Sequence, residues 1–204
     1  MSSPSGDAVP IYTIGYGARS LDAFFDVLLS QRITHLIDVR SAPYSKFKPE
    51  FSRNALEAAA KAKGLRYTYR GDALGGQPKD ESCYEDGKVL YDRVRQRPTF
   101  LEGLARLQKA HGLGLRVVVM CSEGKPEQCH RTVLIGQVLT ERGIPVAHID
   151  ENDCLIDQED AVGRRTGGQL SLLDDPEFKS RKRYGKKRGA SDAGATAEGE
   201  GEDD

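Results

Sequence analysis

The chain reads as an α/β protein: one Rossmann-like domain with a mostly parallel sheet of about five strands flanked by helices. Three observations predict this. Short β-branched runs alternate with amphipathic stretches at helical spacing, the pattern of βαβ units. Each run is followed by polar or Gly-rich residues, as at the ends of buried strands. A length of 204 residues suits one such domain with tails.

Ile11 to Ile14 forms the first strand, stopped by Gly15-Tyr16-Gly17. Ser20 caps a helix from Leu21 to about Gln31, with Phe24, Phe25 and Leu28 on its apolar face. Leu36 to Val39 is the second strand, and Ser41 to Phe51, with two prolines, is a loop. Ser52 opens an Ala-rich helix that stops at Gly64. Leu65 to Tyr69 is the third strand, and Arg70 to about Gly87 is a long polar segment containing Gly75-Gly76. A helix from Pro98 to about His111 precedes the fourth strand, Arg116 to Met120. The helix after Cys129 ends at Gly143, and Val146 to Ile149 is the fifth strand.

Residues 1–9 are expected to be a loose tail, 10–173 the domain and 174–204 a disordered charged tail. Lys179 to Arg188 carries seven cations, and Asp192 to Asp204 is acidic. The basic block can attract nucleic acid, but a solvated tail whose halves neutralise each other is the favoured reading. Net charge is −1, so total charge argues for no particular partner. No apolar run approaches a membrane span, and Met1 to Gly6 lacks the apolar core of a secretory signal. The protein is therefore expected in the cytoplasm, off the membrane, with Cys83, Cys121, Cys129 and Cys154 reduced.

The densest chemistry lies between Met120 and Arg131, after the apolar run Val117-Val118-Val119. Cys121, Glu123, Cys129, His130 and Arg131 share one short loop at a strand end, where open α/β sheets bind ligands. Cys121 has two readings. It is a nucleophile whose thiolate is favoured by a helix N-terminus and Arg131, or a packed thiol beside four apolar strand positions; the packed thiol is favoured. Glu123 and His130 are candidate acid–base groups. Arg131 opposes the dipole of its own helix, which suggests that it is kept for an anion. Arg40 follows the second strand and either grips an anion or pairs with Asp38. Gly15, Tyr16 and Ser45 lie on neighbouring strand-end loops and complete the candidate binding set.

Two familiar sites fail on spacing. Phosphatase and rhodanese loops hold cysteine and arginine a few residues apart, whereas Arg131 is ten positions after Cys121. A zinc site would need a fourth ligand beside Cys121, Cys129 and His130, Cys-x7-Cys-His is not a usual spacing, and only Cys154 or His148 could complete it. No metal and no cofactor are expected.

The motifs resemble the family catalogued as domain of unknown function 488. They are Thr13-Ile14-Gly15-Tyr16-Gly17 (the family often has histidine at the position of Tyr16), Asp38-Val39-Arg40 with Pro43 and Ser45, Leu74-Gly75-Gly76, and Cys121-x-Glu123-x-x-Pro126-x-x-Cys129-His130-Arg131, with His148-Ile149 near the end. The resemblance runs from about Ile11 to Asp150 and implies a single Rossmann-like domain, but no reaction.

The residues point first to a hydrolase or transferase acting on a phosphate-bearing substrate, a nucleotide or nucleic acid, at the carboxyl edge of the sheet. Arg40 and Arg131 would hold the anion, while Glu123, with His130 or Cys121, would move protons or attack. Two alternatives stay open: a non-catalytic nucleotide or nucleic-acid binding module, and a redox-responsive protein with a reversible Cys121–Cys129 disulfide. Oligomeric state is not legible.

Overall fold

A computed structural model describes residues 9–167 and 179–184. The elements follow the expected alternation. Strand β1 (Ile11–Gly15) leads to helix α1 (Leu21–Ser30) and strand β2 (His35–Asp38). Helix α2 (Arg53–Ala62), strand β3 (Arg66–Tyr69) and the single-turn helix α3 (Gly71–Leu74) come next. The polar segment then holds a small hairpin, β4 (Tyr84–Glu85) and β5 (Lys88–Val89), before helices α4 (Tyr91–Arg95) and α5 (Pro98–Gly112). Strand β6 (Val117–Cys121) precedes a π-helical stretch, Arg131–Gly136, which runs into helix α6 (Gln137–Glu141). Strands β7 (Val146–Ile149) and β8 (Leu155–Asp157) and helix α7 (Gln158–Thr166) complete the domain.

The main sheet has six strands in the order β3-β2-β6-β1-β7-β8. The five expected strands are its parallel part, and β8, antiparallel to β7, is the addition. This is the single mixed α/β domain that the alternation predicts.

The strands sort their side chains by alternation. Val117 and Val119 face one apolar layer with Phe100, Leu104 and Leu139. Val118 and Met120 face the other, with Phe24, Phe25, Leu28 and Leu56. Both faces of the sheet are thus covered by helices, which is why β6 is a continuous apolar run. Each buried branched side chain stabilises the fold by roughly 1.5–3 kcal/mol. Helix α1 begins where Ser20 caps it, accepting the Ala23 N–H at 3.2 Å. Ser52 stands at the start of α2 without capping it; its hydroxyl instead accepts the Ser45 N–H at 3.2 Å.

Two features depart from expectation. The region after β7 carries β8 and α7, the latter capped by Asp157, which accepts the Asp160 N–H at 2.8 Å. Residues 179–184 fall in the stretch expected to be loose, yet they pack on the β4–β5 hairpin. Ser180 N–H donates to the Val89 carbonyl at 2.9 Å, and Ser180 is 2% exposed. Tyr184 N–H donates to the Gly87 carbonyl at 2.7 Å. The rest of the expected tail lies outside the described residues. Among the described residues no helix is long and apolar enough to cross a membrane.

Candidate functional site

Strand β6 lies between β1 and β2, and all three run parallel. Their carboxyl ends therefore share one edge, with Gly15 in register beside Cys121. The loop after β1 follows the loop after β6: Tyr16 N–H donates to the Cys121 carbonyl and Gly17 N–H to the Ser122 carbonyl, both at 3.1 Å.

Cys121 ends β6 with its side chain 7% exposed. A single 3-10 turn, Pro126–Gln128, folds the chain back, closed by the Cys129 N–H donating to the Pro126 carbonyl at 3.0 Å. That return sets Cys129 and His130 against Cys121. His130 Nδ1 lies 3.8 Å from Cys121 Sγ and 3.6 Å from Cys129 Sγ, and all three atoms lie within 4.8 Å of one another. Both thiols are free. The Cys129 thiol, His130 and Arg131 hold the Cys121 thiol well below its ordinary titration range, against the cost of burial. Burial first, then Cys121 itself, pushes Cys129 well above. The chain continues as a π-helix, a rare form frequently found at functional sites.

Arg131 is fully buried, and two of its guanidinium nitrogens are committed to backbone. Nη2 donates to the Gly124 carbonyl at 2.8 Å and Nη1 to the Glu123 carbonyl. Arg131 thus ties down the loop that carries Glu123 and does not line the pocket. The cation at the helix start satisfies two loop carbonyls, and its Nε has no hydrogen-bond partner among the described residues. Gly15 serves the same packing: a Cβ there would stand 1.6 Å from the Glu123 carbonyl oxygen and 2.5 Å from Arg131 Nη1. The close backbone approach that a glycine permits is made to the loop itself.

Arg40 and Asp38 form a buried fork. Arg40 Nε donates to Asp38 Oδ1 at 2.9 Å and Nη2 to Oδ2 at 2.6 Å. Tyr67 adds its hydroxyl to Asp38 Oδ2 at 2.7 Å. Burial opposes the charge on Arg40, but Asp38 outweighs it, and the guanidinium titrates above its ordinary value. Nη1 has no hydrogen-bond partner among the described residues. The Asp38 pairing and the pocket position coexist, so the two readings of Arg40 are not exclusive. Tyr16 sits beside it, with the guanidinium 5.6 Å from its ring centre, and stacks on Phe51 at 4.3 Å. Ser45 accepts the Lys48 N–H at 3.2 Å and helps to shape the loop after β2.

These elements enclose a pocket of about 240 Å³. Of the eight candidate residues, Arg40, Cys121, Glu123 and His130 line it together. Gly15, Tyr16, Ser45 and Arg131 stand behind that lining as supports. Contributors that sequence reasoning missed include Tyr91, Arg181, Lys182 and Tyr184. The last three belong to the docked 179–184 segment, whose only signal was its basic charge. Arg181 and Lys182 approach Glu123 Oε2 at 3.9 and 4.0 Å. Gly76 also lines the pocket, and a Cβ on it would lie 2.7 Å from His130 Cγ. The glycine pair thus lets the loop after α3 lie flat on the imidazole.

The geometry joins two sulfurs and an imidazole to a wall that carries Arg40, Arg181, Lys182 and Glu123. No curated protein and no solved structure matches the chain. The family model described as domain of unknown function DUF488 matches residues 20–138, more than half of the chain, including Arg40 and the Cys121–Arg131 loop. The chain belongs to the DUF488 family.

Proposed function

We propose that the pocket binds a phosphate-bearing substrate, a nucleotide or the end of a nucleic acid, and acts on it as a hydrolase or transferase. The observation that carries this reading is the charge of the lining. Arg40, Arg181 and Lys182 line the pocket with one carboxylate, Glu123, while Asp38, behind the lining, pairs with Arg40. Asp38 holds Arg40 in place before any ligand arrives, so the binding geometry is preorganised. Arg181 and Lys182 have half-exposed side chains near Glu123 and can turn to an incoming anion. Glu123, on a loop tied down by Arg131, would carry protons in this reading. The Cys121–Cys129–His130 cluster favours an enzyme over a plain binding module, because anion binding alone asks for no buried sulfur and imidazole.

Titration calorimetry with inorganic phosphate and ADP tests the reading. Wild type should bind, and the double variant Arg181→Ala/Lys182→Ala should bind about tenfold or more weakly, since a charge-assisted hydrogen bond is worth roughly 1.5–3 kcal/mol. Arg40→Lys keeps the charge but loses the fork and should also weaken binding. Absence of binding by wild type, or equal binding by all three proteins, overturns the proposal.

A further inference from the structure

We propose that Cys121, Cys129 and His130 bind one zinc ion, leaving its fourth position open to the pocket. The metal site rests on ligand geometry alone; its action on a phosphate-bearing substrate rests on the function proposed above.

The spacing of the three atoms is the first argument. Tetrahedral zinc holds sulfur at about 2.3 Å and imidazole nitrogen at about 2.0–2.1 Å, so each N···S edge is about 3.6 Å. His130 Nδ1 lies 3.6 Å from one sulfur and 3.8 Å from the other. Two edges of the triangle match a tetrahedral face, and the two sulfurs lie within 4.8 Å of each other. A zinc ion with two thiolates and a neutral imidazole has no net charge, so its burial avoids the desolvation cost of a lone ion. The two thiol protons leave to solvent as the sulfurs bind.

The surroundings are the second argument. Gly76 packs flat on the His130 ring, and only the absence of a Cβ permits it. Nε2 of that ring is buried with no partner among the described residues. Ligation through Nδ1 would leave Nε2 with its proton, so the orphan atom shows a ring not held in place by hydrogen bonds and is not itself a metal contact. Nδ1, the nitrogen facing the sulfurs, is the one that a metal would take.

The open position is the third. Neither other candidate ligand closes the site. His148 is committed to Thr13 and Gln158, and exposed Cys154 donates to the Asn152 carbonyl at 3.7 Å. All three proposed ligands line the pocket. Three protein ligands and a vacancy make the catalytic form of zinc site, not the structural one. The sequence expectation of no metal asked for a fourth protein ligand and a usual spacing, whereas this site uses three protein ligands that the turn brings together. The vacancy would take a water or a phosphate oxygen beside Arg40 and Glu123.

Cobalt(II) titration of the full chain, reduced and stripped with a chelator, tests this without any activity assay. The expected result is one cobalt per chain, with thiolate-to-cobalt charge-transfer bands and the intense visible bands of a tetrahedral ion, all displaced by zinc. Cys121→Ser, Cys129→Ser and His130→Ala should each weaken binding by about tenfold or more, and Cys154→Ser should bind as wild type. A featureless spectrum, or unchanged binding by His130→Ala, overturns the site. A second measurement covers variants that fail to fold. Diamide should close a Cys121–Cys129 disulfide in the stripped wild type, and zinc should block it, as read by intact mass. Equal disulfide formation with and without zinc overturns the proposal in favour of a redox dithiol. Cobalt binding without phosphate binding would remove the anion reading and keep the metal; phosphate binding without cobalt would do the reverse.

Discussion

Two buried histidines in this molecule are treated in opposite ways. His148 on β7 is fully satisfied. Its Nδ1 accepts from the Thr13 hydroxyl at 2.7 Å, and its Nε2 meets Gln158 Oε1 at 2.8 Å. Gln158 passes the chain on, donating to the Thr132 carbonyl at 3.2 Å. His130 has two thiols at one nitrogen and nothing at the other among the described residues. The His148 ring is sealed in the core, whereas the His130 ring lines the pocket. The first network links β1, β7, α7 and the π-helix, and so does the work of a core. The second gains little from its surroundings, and its imidazole is explained by what it can bind. Polar completeness, more than burial or residue type, separates a structural histidine from a functional one.

The sharpest way to break the comparison is to remove each ring. His148→Ala should cost about 3–5 kcal/mol, because it opens a cavity and strands the Thr13 hydroxyl and the Gln158 carbonyl. Its cobalt stoichiometry should stay at one, measured on the folded protein below its lowered melting temperature. His130→Ala should do the opposite. With the metal stripped it should melt within about 1 kcal/mol of wild type, since few hydrogen bonds are lost, yet cobalt affinity should collapse. Equal stability losses in the two variants would show that His130 is structural after all.

Acid gives the next effect. Burial holds the His148 ring neutral, with a pKa lowered from 6.5 to about 4, helped by Arg131 and opposed by Gln158 and Asp157. The folded value lies below the unfolded one, so the contribution is complete above pH 6.5. Between pH 6.5 and about 4 the unfolded chain takes up the proton first, and stability falls. The full loss is ~3 kcal/mol by pH 4. Denaturant melts of wild type and His148→Gln across that range should show a shallower slope for the variant. Identical slopes would place the acid sensitivity elsewhere.

The strands were legible because β-branched runs with opposite-facing neighbours leave few alternatives. Val117 to Met120 reads the same in sequence and structure. The Cys121 loop was legible as chemistry for the same reason, since packing does not call for that mixture. Arg131 was expected to hold an anion because a cation in a first helical turn looks destined for one, yet it stands behind the pocket lining. Its actual partners, the carbonyls of residues 123 and 124, depend on a 3-10 turn that no residue spacing reveals. That same turn brings Cys129 and His130 onto Cys121, so the ligand triangle was hidden in a spacing that looked unsuited to metal. The 179–184 segment was hidden differently. Its pairing partner is β5, some ninety residues earlier, and Ser180 carries no apolar signal that would announce burial.

That segment supplies the smallest predicted effect. Val89 N–H donates to Ser180 Oγ at 2.9 Å, and the same hydroxyl donates to the Lys182 carbonyl at 2.8 Å. The Ser180 N–H bond to the Val89 carbonyl is backbone and survives substitution. Ser180→Ala therefore strands one buried N–H and frees the Lys182 turn. The expected cost is about 1 kcal/mol, or roughly 2–4 °C in melting temperature for a domain of this size. Neither histidine region touches Ser180, so the acid slope and the cobalt affinity should be unchanged, as for independent sites. Phosphate affinity should fall slightly, because Arg181 and Lys182 lose the turn that presents them to the pocket. A variant that melts like wild type and binds phosphate equally well would mean that the segment rests on the hairpin without shaping the site.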